Sequence, residues 1–95
     1  MKNIINQFID IENKSKANNT SNLDRNFKRL HHEFEELGYK IVNPLGEKYD
    51  YRDSSIEANI VNENSNIITK VLKPVIYKME GEGFVLIQKG IVIVA

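Results

Sequence analysis

The chain has 95 residues, which suffice for one modest domain but not for two independent hydrophobic cores. Lys and Arg number 13, Asp and Glu also number 13, and the net charge of zero lacks the basic excess typical of nucleic-acid-binding proteins. The sequence has no cysteine, which excludes disulfide bonds, thiolate metal ligands and cysteine nucleophiles.

A short amphipathic helix is predicted over residues 2–14. It contains the i,i+4 pairs Ile4/Phe8 and Ile5/Ile9, which lie on one face of a helix. Polar residues interrupt the segment, so it does not resemble a signal peptide. No window of the chain approaches the roughly 20 apolar residues of a membrane-spanning helix. We therefore expect a cytoplasmic protein with no membrane partner and no nucleic-acid partner.

A polar loop precedes a second predicted helix, which runs from about Leu23 to Leu37. Thr20, Ser21 and Asn22 are candidates for its N-cap. The apolar positions of this helix are spaced by four and three residues and form a narrow seam: Leu23, Phe27, Leu30, Phe34 and Leu37. Gly38 follows where a glycine can adopt the left-handed conformation that ends a helix.

Two short helices joined by a loop cannot bury both apolar stripes by themselves. Burial of one Leu or Phe side chain contributes about 1.5–3 kcal/mol, a large share of a total stability of about 5–15 kcal/mol. We therefore expect residues 1–38 to pair with a second copy in a four-helix bundle, which makes the protein a homodimer. The residues expected at this dimer interface are Ile5, Phe8, Leu23, Phe27, Leu30 and Phe34.

The second helix also contains two adjacent histidines. His31 precedes Glu35 by four residues, and His32 precedes Glu36 by four, a spacing that can present two metal ligands on one helical face. The pattern supplies no third ligand and the HExxH motif is absent, so surface histidines beside the seam are the favoured interpretation. We expect no metal ion and no other cofactor.

Residues 39–54 form a predicted connection between the helices and a β-rich half. Tyr39–Val42 favours an extended conformation. Asn43–Gly46 has the residue preferences of a type I turn, with Asn first, Pro second and Gly fourth.

From residue 55 the hydrophobic period changes to two, which indicates strands. Ile56, Ala58 and Ile60 give the first strand one apolar face. The second, over residues 67–77, is interrupted by Pro74, which requires an edge, a bulge or a bend.

Residues 84–95 form the last predicted strand, bent or bulged at Gly90. The predicted fold class is therefore α+β: an N-terminal helical hairpin that forms a dimeric four-helix bundle, followed by a small antiparallel all-β domain over residues 55–95.

The segment Asn43–Asp50, NPLGEKYD, followed by IEA at residues 56–58, resembles a motif of the GrpE family, the nucleotide exchange factors of DnaK-type chaperones. Both predicted helices and the C-terminal strands resemble the corresponding family segments in the same order. The resemblance implies a homodimer whose β-domain binds the nucleotide-binding domain of a DnaK-type chaperone and opens its cleft, without catalysis. The 95 residues contain no counterpart of the family's long N-terminal coiled-coil helix, so we expect a short form.

The position of the family's motifs implies five partner-binding residues: Glu57, Lys73, Ile76, Gln88 and Lys89. The sequence also departs from the family. Tyr51 stands where the family has a proline, and Ile56 stands where it has a histidine. These departures leave open an alternative, a dimeric protein-interaction module of the same fold without exchange activity.

A small hydrolase is a third hypothesis, and it is disfavoured. It would need a nucleophile–base pair or paired carboxylates in a pocket. Asp50, Asp53 and Glu57 are the only cluster of carboxylates near the turn, and Arg52 among them indicates simple charge balance. We therefore expect that the protein is not an enzyme.

Overall fold

A computed structural model describes residues 1–18 and 21–95, with the side chain of Ser21 also outside the description. Within these residues the chain has two α-helices and six strands in two sheets, so the predicted α+β class is confirmed. In chain order the elements are α1 (Lys2–Ala17), a 3-10 turn (Ser21–Leu23), α2 (Asp24–Glu36), β1 (Tyr39–Val42), β2 (Ile56–Ile60), β3 (Ile68–Lys73), β4 (Val75–Glu80), β5 (Gly83–Gln88) and β6 (Gly90–Val94). No helix of the described residues is both long enough and apolar enough to cross a membrane.

Both helices lie where the periodicity predicts them, with small differences at their ends. α1 extends to Ala17, beyond the predicted end at residue 14. Leu23, and not Asn22, occupies the N-cap of α2, while the candidate caps Thr20 and the Ser21 side chain lie outside the described structure. Gly38 has a φ of 89°, the left-handed conformation expected of a glycine that ends a helix.

The first sheet has the strand order β1-β4-β5, and both helices pack on one of its faces. The ring centroid of Phe8 lies 6.0 Å from that of Phe27 and 5.5 Å from that of Phe34, which joins α1 to α2. The buried side chains of this first core are Ile5, Phe8, Ile9, Phe27, Phe34 and Ile76. Helices and sheet therefore share one core across residue 38, and the predicted division into residues 1–38, 39–54 and 55–95 stays a prediction.

The second sheet has the order β2-β6-β3 and is mixed. β3 pairs with β6 in antiparallel fashion, but β2 pairs with β6 in parallel, so the prediction of a purely antiparallel β-domain is wrong for this pair. The physical reason is that β2 and β3 flank β6 on either side instead of forming a hairpin with each other. The buried side chains of this second core are Ile68, Val71, Val92 and Val94, with Leu45 and Tyr49 packed against them.

A long bent hairpin connects the two sheets. β3 continues into β4 across Pro74, and β5 continues into β6 across Lys89. Both arms of the hairpin therefore pass from one sheet to the other, one at Pro74 and the other at Lys89. Proline has no N–H to donate to a strand ladder, which suits it to this break. At Gly90 an added Cβ would lie 2.8 Å from Cγ2 of Val75, so the glycine permits the close approach of the two sheets.

The turn before the second sheet lies one residue later than predicted. The N–H of Glu47 donates to the carbonyl of Pro44 at 3.1 Å, which makes Gly46 the third turn residue. Gly46 has a φ of 83°, as the third position of a type II turn requires. The predicted type I turn starting at Asn43 is therefore wrong, because the glycine is needed where φ is positive. The Gly46 N–H also donates to the carbonyl of Ile68 at 2.8 Å, which attaches the turn to β3.

Candidate functional site

An apolar groove runs between the two helices on the side away from the first sheet. We call it the helix groove. It has a volume of about 310 Å³ and is lined by Ile4, Gln7, Phe8, Ile11, Phe27, Leu30 and Phe34. Ile4 is 61% exposed and Ile11 is 54% exposed, and seven residues separate them on α1. Such spacing places both side chains on one stripe of the helix, where a partner helix could cover them.

The seam of α2 divides into an inner and an outer half. Phe27 and Phe34 are buried against Phe8, while Leu30 is 43% exposed and Leu37 is 59% exposed. Leu23, at the start of the helix, is also exposed. Because the seam residues alternate in this way, one helix serves both the intrachain core and an uncovered surface.

The six residues expected at a dimer interface are therefore distributed between the core and this surface. Leu23 and Leu30 are exposed, and Phe8, Phe27 and Phe34 form the floor of the helix groove. Ile5 is 0% exposed within the single chain, so it presents no surface to a partner.

A second apolar surface lies on the face of the first sheet that is turned away from the helices. We call it the sheet patch, and its residues are Lys40, Tyr77, Met79, Phe84 and Leu86. Cross-strand pairing places them side by side: Lys40 opposite Tyr77, Tyr77 opposite Leu86, and Met79 opposite Phe84. Met79 and Phe84 are each 50% exposed.

One lysine side chain lies near two aromatic rings of the sheet patch. Nζ of Lys40 lies 5.7 Å from the ring centroid of Tyr77 and 5.9 Å from that of Phe84, within range of a cation–π attraction. Exposed aromatic and methionine side chains are enriched in protein-binding surfaces. Sequence reasoning missed this patch, although the continuous apolar run at residues 84–87 offered a signal. Successive side chains of a strand point to opposite faces, so such a run makes both faces apolar.

Three of the five partner-binding residues implied by the family resemblance lie together at one corner of the second sheet. Glu57 and Lys73 are both opposite Ile91, on either side of β6, so their side chains share a face. Nζ of Lys89 lies 3.9 Å from Oε1 of Glu57, and both side chains are more than half exposed. An exposed ion pair of this kind contributes little to stability, about 0–1 kcal/mol, and leaves these charges accessible to a partner.

The other two implied residues face the inside of the chain. Ile76 is 0% exposed in the first core. The side-chain amide of Gln88 pairs with that of Asn6 on α1, through hydrogen bonds of 2.7 and 3.1 Å, and also donates to the Pro74 carbonyl at 2.9 Å. Gln88 therefore ties α1 to the bend of the long hairpin.

A cavity of about 390 Å³ opens between the two sheets. Its lining is mixed: Val42, Ile68 and Val75 are apolar, while Glu47, Lys48 and Asp53 are charged. Tyr77 lines it as well, so the cavity adjoins the sheet patch. A depression of this kind next to an apolar patch can seat a side chain of a bound protein.

The polar side chains of residues 50–55 hydrogen-bond to near neighbours in their own loop. Asp50 accepts hydrogen bonds from the Arg52 side chain at 3.1 Å, and these bonds hold the pKa of the Asp50 carboxyl below its ordinary value of 3.8. Asp53 accepts from the backbone and hydroxyl of Ser55. Over residues 1–18 and 21–95, no group of three or more His, Cys, Asp or Glu side chains is arranged to hold a metal ion.

Comparisons with models of protein families, with curated proteins and with solved structures gave no significant match.

Proposed function

We propose that this protein is a GrpE-like cytoplasmic co-chaperone that promotes ADP release from a DnaK-type chaperone. It binds the nucleotide-binding domain of the chaperone through its β-half and makes or breaks no covalent bond. The observation that carries this proposal is the sheet patch, an exposed surface of aromatic, methionine and leucine side chains on the face of a sheet that the helices leave open. The motif resemblance at Asn43–Asp50 supplies the identity of the partner.

Exchange follows from differential binding. If the protein binds the open, ADP-free conformation of the chaperone more tightly than the closed one, thermodynamic linkage weakens ADP binding by the same factor. A preference of about 100-fold corresponds to about 2.7 kcal/mol. The sheet patch can supply a difference of this order, because Phe84 and Met79 are each 50% exposed and burial of both exposed halves contributes about 1.5–3 kcal/mol in total.

The fluorescent-ADP release assay tests this function. We expect saturating protein to accelerate the release of labelled ADP from a DnaK-type chaperone. Phe84→Ser removes the half-exposed phenyl ring of the sheet patch and should reduce the acceleration at least tenfold. Val61→Ser is the matched control, because Val61 is 70% exposed but lies outside the patch. Equal activity of both variants would contradict the assignment of the patch, and no acceleration by the unaltered protein would refute exchange.

The protein acts in this proposal as a homodimer that assembles through the helix groove. Support comes from the exposed residues at heptad spacing on both helices, Ile4 and Ile11 on one and Leu30 and Leu37 on the other. A second helical hairpin laid on this groove would complete a four-helix bundle. These four side chains are about half exposed in the single chain, so their burial would contribute about 3–6 kcal/mol per protomer before the cost of association.

Sedimentation velocity tests the dimer. We expect a dimer mass at micromolar concentration, and a monomer for Leu30→Glu, which places a charge in the groove. Leu72→Glu is the matched control: Leu72 is 51% exposed on β3 and does not line the helix groove. A monomer mass for the unaltered protein, or a dimer mass for Leu30→Glu, would contradict the assembly.

One observation favours the alternative, a dimeric interaction module of GrpE-like fold without exchange activity. Two of the five residues that the resemblance implies as partner contacts, Ile76 and Gln88, are engaged inside the chain. The fluorescent-ADP release assay distinguishes the two functions. The module predicts a dimer that leaves the rate of ADP release unchanged at every protein concentration.

A further inference from the structure

A buried carboxylate connects the two helices to the turn that leads to the second sheet. Glu12 on α1 is only 5% exposed. Its Oε2 lies 3.0 Å from Nε2 of His31 on α2, and its Oε1 accepts a hydrogen bond of 3.4 Å from Nδ2 of Asn43. Nζ of Lys16, one turn along α1, lies 4.0 Å from Oε1. A carboxylate taken out of water is retained only where partners satisfy it, so these contacts decide how Glu12 is held.

Asn43 extends these contacts into the turn. Its Nδ2 also donates to Oδ1 of Asn13 at 2.8 Å, and its Oδ1 accepts from the N–H of Leu45 at 3.4 Å. Leu45 belongs to the turn that positions Gly46 against β3 and packs on the second core. One side chain thus joins α1 to the backbone of the segment that orients the second sheet.

We propose that Glu12, His31 and Asn43, the Glu12 network, couple the position of α2 to the conformation of the turn over residues 44–47. His31 and Asn43 are bonded to opposite oxygens of the same carboxylate and, among the contacts of the described residues, not to each other. A displacement of α2 moves His31, and His31 then shifts the carboxylate of Glu12. This shift changes the hydrogen bond between Glu12 and Asn43. This coupling exists whether or not the protein acts on a chaperone.

The coupling has a definite sign. When His31 no longer donates, the carboxylate can rotate toward Lys16 at the surface, and its bond to Asn43 weakens. Asn43→Ala then lowers the free energy of unfolding by less than it does in the unaltered protein. The double variant should therefore raise the unfolding equilibrium constant by less than the product of the increases in the two single variants.

A double-mutant cycle in urea measures this coupling at one fixed pH. His31→Phe removes Nε2 but keeps a ring against Phe8, whose centroid lies 4.8 Å from that of His31. We expect His31→Phe and Asn43→Ala each to raise the unfolding equilibrium constant about tenfold, and the double variant to raise it at least threefold less than the product. In a Glu12→Met background, which lacks both carboxylate oxygens, the same cycle should become multiplicative.

The matched control replaces the neighbouring histidine. His32 is exposed and contacts Glu36 on its own helix at 3.4 Å, so His32→Phe with Asn43→Ala should give a simple product. A multiplicative cycle for His31 and Asn43, or a coupling that survives Glu12→Met, would overturn the proposal.

Amide hydrogen exchange provides a readout that does not depend on reversible unfolding. His31→Phe should speed exchange at the Gly46 N–H, which bonds to the Ile68 carbonyl, by at least threefold relative to the Val92 N–H in the second sheet. His32→Phe should leave this ratio unchanged. Equal ratios for both variants would show that α2 and the turn are independent.

Discussion

Gly90→Ala is the substitution for which the structure gives the clearest expectation. The added Cβ would lie 2.8 Å from Cγ2 of Val75, closer than carbon atoms pack, and 3.6 Å from the Lys73 carbonyl oxygen. Val75 is 1% exposed, so its side chain cannot move into solvent, and the two sheets must separate instead. Overpacking of this kind costs about 1–3 kcal/mol. We expect a loss of that size in the free energy of unfolding, measured by urea denaturation.

Two variants make the test of Gly90→Ala specific. Gly83→Ala is the control, since a Cβ at Gly83 meets no atom within 4 Å, and it should change stability by less than about 0.5 kcal/mol. Val75→Ala removes the methyl group that clashes, so Gly90→Ala should cost less in that background. Equal stabilities of Gly90→Ala and Gly83→Ala would refute the claim that close approach of the sheets requires a glycine.

Three further expectations concern other parts of the chain. Gly46→Ala should lose about 1–2 kcal/mol in urea denaturation, because its φ of 83° is unfavourable for a residue with a Cβ, and an unchanged midpoint would contradict the turn assignment. Phe34→Ala should lose about 3–5 kcal/mol, since the ring is buried against Phe8, and a loss under 1 kcal/mol would exclude this core. Arg52→Ala should raise the pKa of Asp50 toward its ordinary value in an NMR titration, and an unshifted pKa would exclude the observed pairing. Because the folded pKa is the lower one, this pair stabilises the protein above about pH 4 and stops doing so as the pH falls through the folded pKa.

The sequence predicts the helices well because their signals are local. Gly38 ends α2 as expected, and the four-three spacing locates its apolar seam. The same spacing cannot say which neighbour covers each seam residue. Phe27 and Phe34 are covered within the chain while Leu30 stays exposed, and this division depends on where the first sheet lies. Periodicity gives a face of a helix, but only the tertiary arrangement assigns it a partner.

In the β-half, the sequence predicts the bends of the chain but not the pairing of the strands. Pro74 and Gly90 mark the bend of the long hairpin correctly, since both act on the local backbone. The parallel pairing of β2 with β6 has no local signal, because it joins strands separated by some 30 residues. The sheet patch escaped prediction for a related reason: its members come from β1, β4 and β5, and only strand order brings Lys40 beside Phe84.

We propose that the protein binds a DnaK-type chaperone more tightly when ADP is absent. Isothermal titration of the chaperone with this protein, in the nucleotide-free state and with saturating ADP, measures this preference directly. The proposal predicts a Kd at least tenfold lower without ADP, and linkage requires ADP affinity to fall by the same factor when the protein is bound. Equal Kd values in the two states, or no binding in either, would contradict it.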